Sequence, residues 1–266
     1  MPTMELNEIN LKSIVREEVN RIITEEISIA DEVKVFSDEI VNNIITHNNY
    51  DFIIDFFNLG EYRVIYVPSD GEKHGATNIG QKTITINTPF INGKVVEIDL
   101  IDVVYHEIEH LFQVSKMDET ENGTNKSFNK IYAIAMQTYN DENASYYEKE
   151  LSRYVYCCST LEQDAFVNSL YAQLANNNIF SKTKEVDIFK ESNAYKALET
   201  IRDVRSDVYD NMYEYKEAAK RYGKPTKWFV YLGNNAEKRL KKKIRNVILK
   251  SRNEKIKQNI SNDVKL

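Results

Sequence analysis

A chain of 266 residues, 42% hydrophobic and 29% charged with a formal net charge of −6, is long enough to bury one substantial core with room for an appendage. Eight Gly and four Pro are too few for the frequent turns of an all-β sandwich or barrel, so the expected fold class is α+β and mainly helical. Two adjacent Cys, Cys157 and Cys158, exclude a disulfide framework and fit a reducing compartment, while no apolar run reaches the roughly eighteen residues of a membrane span and the first residues lack a signal-peptide pattern.

In chain order, Ile14, Val15, Val19, Ile22 and Ile23 recur at helical spacing. A second helical stretch follows Ile29 and runs towards Phe57, giving an N-terminal helical pair. Five of the eight Gly and two of the four Pro then crowd between residues 60 and 93, which is where a small sheet is expected. Tyr62–Val67 (YRVIYV) is rich in β-branched and aromatic residues, and in Lys82–Asn87 (KTITIN) Ile84 and Ile86 alternate with polar positions. A helix is predicted from about Asp99 to Val114, with Asp99 as its N-cap and Asp102 favouring its first turn, followed by a polar loop over 118–127. From Asn143 to about Ala175 there is no Gly or Pro, and one long helix is predicted. Further helices fill Val186–Tyr222, stopped by Gly223 and Pro225.

The charge is unevenly spread. Between Glu237 and Lys257 ten Lys or Arg stand against two Glu, so this segment carries +8 and the remainder −14. Leu240, Ile244, Val247 and Ile248 line up at helical spacing within it, which makes it the solvated face of an amphipathic C-terminal helix or a contact for nucleic acid or an acidic partner, the chain's own acidic N-terminal part included. The organisation expected is a main domain over residues 1–235 and a basic amphipathic helix and tail over 236–266.

Half of the four His in the chain fall in one motif, YHEIEH at Tyr105–His110. His106, Glu107 and His110 match H-E-x-x-H inside a segment already read as helical. Imidazoles at i and i+4 share one helix face and can hold one tetrahedral Zn²⁺. The intervening Glu107 can then reach a water at the metal as general base. Leu100, Val104, Ile108, Leu111 and Phe112 give this helix a buried side, and Val103, His106, His110 and Gln113 form a second stripe.

A catalytic zinc needs a third protein ligand, and no His follows His110, so a carboxylate is sought. On the helix after Asn143, Cys158, Glu162, Ala165, Ser169 and Ala172 fall on one stripe, small except for a single acid. Such a stripe lets another helix approach, and Glu162 would then face that helix and need a cation. An ordinary exposed helical Glu is the competing reading. Asp164 points to roughly the opposite side. Cys157 and Cys158 are soft donors that could bind zinc, but they diverge by about 100° on a helix and read better as small core residues. His74 and His47 read as solvated loop and helix-end residues.

YHEIEH followed some fifty residues later by E-x-D-A at Glu162–Ala165 resembles the gluzincin-type zincin metallopeptidases, and the ImmA/IrrE-like peptidases among them. The resemblance implies His106, His110 and Glu162 as zinc ligands, Glu107 as general base, and hydrolysis of a peptide or protein substrate. It also implies an edge strand before the metal helix that pairs with extended substrate, a place for Lys82–Asn87 or for Gly75–Ile79 (GATNI). Related patterns put Asp or Asn four residues after the ligand Glu to orient a ligand His, and here that residue is Phe166. The opening LKSIVREEVNRIITEE is reminiscent of N-terminal helices of tailed-phage proteins, so the alternative expectation is a virion or other interaction protein on a zincin scaffold. Location follows as cytoplasmic, or virion-associated if phage-encoded, with no membrane partner.

Overall fold

A computed structural model describes residues 32–56, 59–71, 73–117, 126–176 and 182–263. The first helix of the expected N-terminal pair, at Ile14–Ile23, lies outside them, as do residues 118–125 of the expected polar loop. A first helix, α1, occupies residues 32–47, and β1 (Asp51–Phe56), β2 (Gly60–Ser69), β3 (His74–Asn78), β4 (Thr83–Ile91) and β5 (Lys94–Val95) follow. Then come α2 (Glu97–Met117), α3 (Lys126–Tyr139), α4 (Tyr146–Cys158), α5 (Thr160–Asn176), α6 (Lys182–Glu191), α7 (Asn193–Asp210), α8 (Glu214–Arg221) and α9 (Thr226–Asp263). The architecture is α+β and mainly helical, with one small mixed sheet.

The sheet runs in the order β1-β2-β4-β3, with β2 and β4 parallel, the other pairs antiparallel, and β5 paired to β4. Alternation fixes its register: Val64 faces Ile84 and Tyr66 faces Ile86, all buried, while Thr83 and Thr85 turn to the other side. This face packs on α1 and α2, where Phe36 meets Phe56 at 4.6 Å and Phe112 at 5.9 Å between ring centroids. The sheet starts earlier than the Gly-rich window, because Asp51–Phe56, read as the end of a helix, alternates buried and exposed residues and pairs with β2. Asp99 is likewise not the N-cap but lies inside the first turn of α2, where with Glu97 it complements the helix dipole.

The helix expected over 143–175 is two helices. Ser159 takes an extended conformation (φ −63°, ψ 139°) between α4 and α5, closing the first and opening the second. Cys158 therefore leaves the stripe of Glu162 and belongs to the end of α4. Both thiols are free and buried in the helical core, and burial pushes that of Cys157 up to about 12.

A second core joins α3, α4, α5, α7, α8 and α9, with Tyr154, Phe229 and Leu240 fully buried. The basic segment 237–257 is part of the continuous helix α9. Its Leu240 and Ile244 pack in this core, with Val247 and Ile248 against it. Several of its charges are held within the molecule: Lys243 pairs with Asp164, Arg252 donates to Glu185 at 2.9 Å, and Arg239 donates to Gln163 Oε1 at 2.8 Å and the Cys158 carbonyl at 2.7 Å. Among the described residues no helix is long and apolar enough to cross a membrane.

Tight packing of α4 on α9 depends on Gly233. A Cβ there would lie 1.8 Å from the hydroxyl of Tyr154, which donates to the Phe229 carbonyl at 2.8 Å. Gly233→Ala is expected to destabilise the protein by roughly 1–3 kcal/mol through overpacking. A lowered urea midpoint with unchanged m value checks this, and an unchanged midpoint would mean that the two helices separate freely.

Candidate metal centre

The two cores meet where α2 packs on α5, and the candidate centre lies at that seam. Leu100, Val104, Ile108 and Leu111 of α2 point into the sheet core at no more than 1% exposure, which aims His106, His110 and Gln113 at α5. From α5, Ala165, Ser169 and Ala172 present small buried surfaces that let the helices approach, and the Ser169 hydroxyl donates to buried Asp102 of α2. Glu162 stands in the first turn of α5, where the helix dipole favours a carboxylate.

This packing brings together the atoms expected to share an ion. His106 Nε2 and His110 Nε2 are 3.0 Å apart, and Glu162 Oε2 lies 3.2 Å from His110 Nε2 and 3.4 Å from His106 Nε2. Zinc bonds of about 2.0–2.2 Å in tetrahedral geometry separate neighbouring ligand atoms by about 3.3–3.6 Å, so the three donors lie within a few tenths of an ångström of the spacing such an ion needs. They form a group that could hold a metal ion. Glu162 is only 2% exposed, and a carboxylate so buried requires a positive partner. Burial acts to raise its pKa, but hydrogen bonds and charge from His106 and His110 outweigh it and hold the carboxyl well below the usual range.

A second layer of side chains holds these donors. Gln113 Nε2 donates to the Leu161 carbonyl and to Glu109 Oε1, both at 3.1 Å, which turns Gln113 Oε1 towards His110 Nδ1 at 3.1 Å. That arrangement places the His110 proton on Nδ1 and leaves Nε2 free to ligate. Glu109, whose pKa burial raises, is braced by Asn168 Nδ2 at 2.7 Å. His106 is held differently: its buried Nδ1 has no hydrogen-bond partner, and its ring stacks on Phe166 at 5.1 Å. The residue that departs from the related pattern thus orients the imidazole by ring contact. On Glu162, the second oxygen accepts a 2.5 Å hydrogen bond from the Tyr132 hydroxyl of α3. Nothing local marks Tyr132 among seventeen Tyr, whereas Gln113 and Asn168 sit one turn or two from predicted ligands, where a search for orienting amides could have begun.

Glu107 is not one of the three clustered donors, and its side chain is held against the edge strand β3. Its Oε2 accepts from Thr77 Oγ1 at 2.9 Å, and a Cβ on Gly75 would come within 2.4 Å of its Cγ. The glycine is therefore the space into which the Glu107 side chain fits. Of the two strands expected to offer an edge, β4 is interior, and β3, the Gly75–Ile79 stretch, is the outer strand beside α2. Of the remaining candidates, Asp164 pairs with Lys243, His47 faces Asn42 at 3.4 Å, and His74, exposed on β3, lines the cavity that His106 and Glu107 also line but is not one of the three clustered donors.

No family model, curated protein or solved structure matches the chain.

Two outcomes follow for the metal-free protein. Titrating Zn²⁺ is expected to raise the apparent Tm and saturate at one ion per chain, with the rise lost in His110→Ala and in Glu162→Ala. Absence of any zinc-dependent shift in the unaltered chain would contradict this. The pH dependence is also set. Burial alone would lower the His110 pKa, but the hydrogen bond and charge of Glu162, with the charge of Glu107, push it up to about 9 from an ordinary 6.5. Its protonated form thus stabilises the metal-free fold fully below pH 6.5, and this contribution is lost as pH rises through 9. Zinc must displace that proton, so zinc affinity should increase between pH 7 and pH 9; calorimetric titrations showing a fall would overturn the assignment.

Proposed function

We propose that this chain is a zinc-dependent peptidase in which His106, His110 and Glu162 hold the ion and Glu107 is the general base. The observation that carries the reading is the convergence of three donor atoms, from helices some fifty residues apart, to separations of 3.0–3.4 Å beside a second buried carboxylate, Glu107, that does not join them. When bound, zinc would supply Lewis-acid polarisation of the scissile carbonyl and lower the pKa of the attacking water.

The chain's own residues supply the rest. Glu107, 6% exposed, lies between the ligand group and β3, where it can take a proton from the attacking water and return it to the leaving amine. Thr77 fixes one oxygen of that carboxylate, leaving the other for proton transfer. The unpaired side of β3 can hydrogen-bond an extended peptide through backbone groups, which binds many sequences and places the chain along Glu107. A zinc used for stability alone would give no role to Glu107 or to the glycine cut into β3 for it.

Glu107→Gln should retain one zinc and lose peptide cleavage by about 10²-fold or more. Gly75→Ala should have a similar effect, since its Cβ would displace the Glu107 side chain. Mass-spectrometric scoring of an unbiased peptide mixture, with metal content measured on the same samples, checks both. Cleavage unaffected by Glu107→Gln would sink the proposal, and zinc-dependent stability without any cleavage would favour a structural protein on this scaffold.

A further inference from the structure

The cavity that opens onto His106 and Glu107 has a volume of about 520 Å³ and is enclosed by β3, α2, α3, α4, α5 and α7. Part of its wall is apolar, from Val103, Met136, Phe166 and Ala197, and its charged lining is one-sided. Among the described residues Glu107 is the only carboxylate in it, against Lys73, Arg153 and Lys196. Lys73 is already neutralised, with Asp99 Oδ1 and Asp102 Oδ2 each at 2.8 Å. The other two cations differ from it. Arg153 has a half-exposed side chain whose ion pair, Glu150 at 3.2 Å, is a surface contact one turn away on the same helix, a kind that holds a guanidinium only loosely. Lys196 is exposed and makes no ion pair among the described residues. In a chain with 41 acidic residues and a net charge of −6, two weakly engaged cations at one cavity mark a place for an anion.

We propose that this cavity binds a carboxylate of the substrate, held by Arg153 of α4 and Lys196 of α7, while the apolar wall covers the carbon chain that carries it. Arg153 can offer two parallel N–H donors to the planar anion, and Lys196 adds a point charge. Such a carboxylate is either an acidic side chain close to the scissile bond or the C-terminus of the peptide. The proposal rests on the peptidase reading for its substrate, and a binding measurement separates the two.

Cleavage is measured with the zinc-loaded full chain on peptides that differ only in Glu or Gln on each side of one scissile bond, each made with a free or an amidated C-terminus. The carboxylate-bearing peptide is expected to have a kcat/KM about tenfold higher, with the ratio shrinking in about 0.5 M salt and approaching one in the double variant Arg153→Ala, Lys196→Ala. A Glu-over-Gln preference assigns the side chain, and a free-over-amidated preference assigns the terminus. Equal rates for both comparisons, or a preference that survives the double variant, overturn the proposal. The same peptides, fluorescently labelled, are titrated against Glu107→Gln with and without the two Ala substitutions. Carboxylate-dependent binding that needs Arg153 and Lys196 supports the proposal even where no peptide is cut, in which case the peptidase reading alone has failed. Binding indifferent to the carboxylate overturns it.

Discussion

A carboxylate buried between two imidazoles is the constraint around which this molecule is arranged. Glu162 is 2% exposed, sits within 3.4 Å of two ring nitrogens, and carries a negative charge that its surroundings tolerate only if a cation is present. Placing it there demands the stripe of Ala165, Ser169 and Ala172, which lets α5 approach α2, and the break at Ser159, which puts Glu162 at a helix N-terminus. It also demands α3, since Tyr132 occupies the carboxylate oxygen that the histidines do not. Sheet core and helical core meet at this polar seam.

The two histidines are oriented by different physics. His110 is set by a chain of hydrogen bonds through Gln113, Glu109 and Asn168, which fixes its tautomer, whereas His106 is confined by the ring of Phe166 and keeps an unpartnered Nδ1. Glu107 belongs to neither arrangement. It is turned towards β3, where Gly75 leaves room for it and Thr77 holds it, so the carboxylate among the three donors and the carboxylate beside β3 are held by different partners. Two acids in different surroundings can then serve different ends, one locked as an anion by imidazoles and one lining a cavity wall.

Much of this was legible in the sequence. The spacing of His106, Glu107 and His110 is local, and a helix converts it directly into geometry. The apolar stripe opposite it, the alternation of Thr83–Asn87 and the small stripe around Glu162 are likewise periodic patterns. What the sequence hid was tertiary or depended on a single residue. Ser159, three residues before Glu162, is an S-x-x-E helix-start signature, yet with no Gly or Pro nearby the run reads as one helix and carries Cys158 into the wrong stripe. Asp51–Phe56 alternates too briefly to be separated from the helix before it. Tyr132 acquires its role from how α3 packs, and the cations Arg153 and Lys196 become neighbours of one cavity through the pairing of α4 with α7.

Zinc K-edge X-ray absorption on the full chain loaded with one equivalent of metal tests the centre most directly. The account predicts two imidazole nitrogens and one carboxylate oxygen at about 2.0–2.2 Å with no sulfur, and loss of the carboxylate contribution in Glu162→Ala. A sulfur shell near about 2.3 Å, which would bring in Cys157 or Cys158, or a spectrum without imidazole scattering, would contradict it.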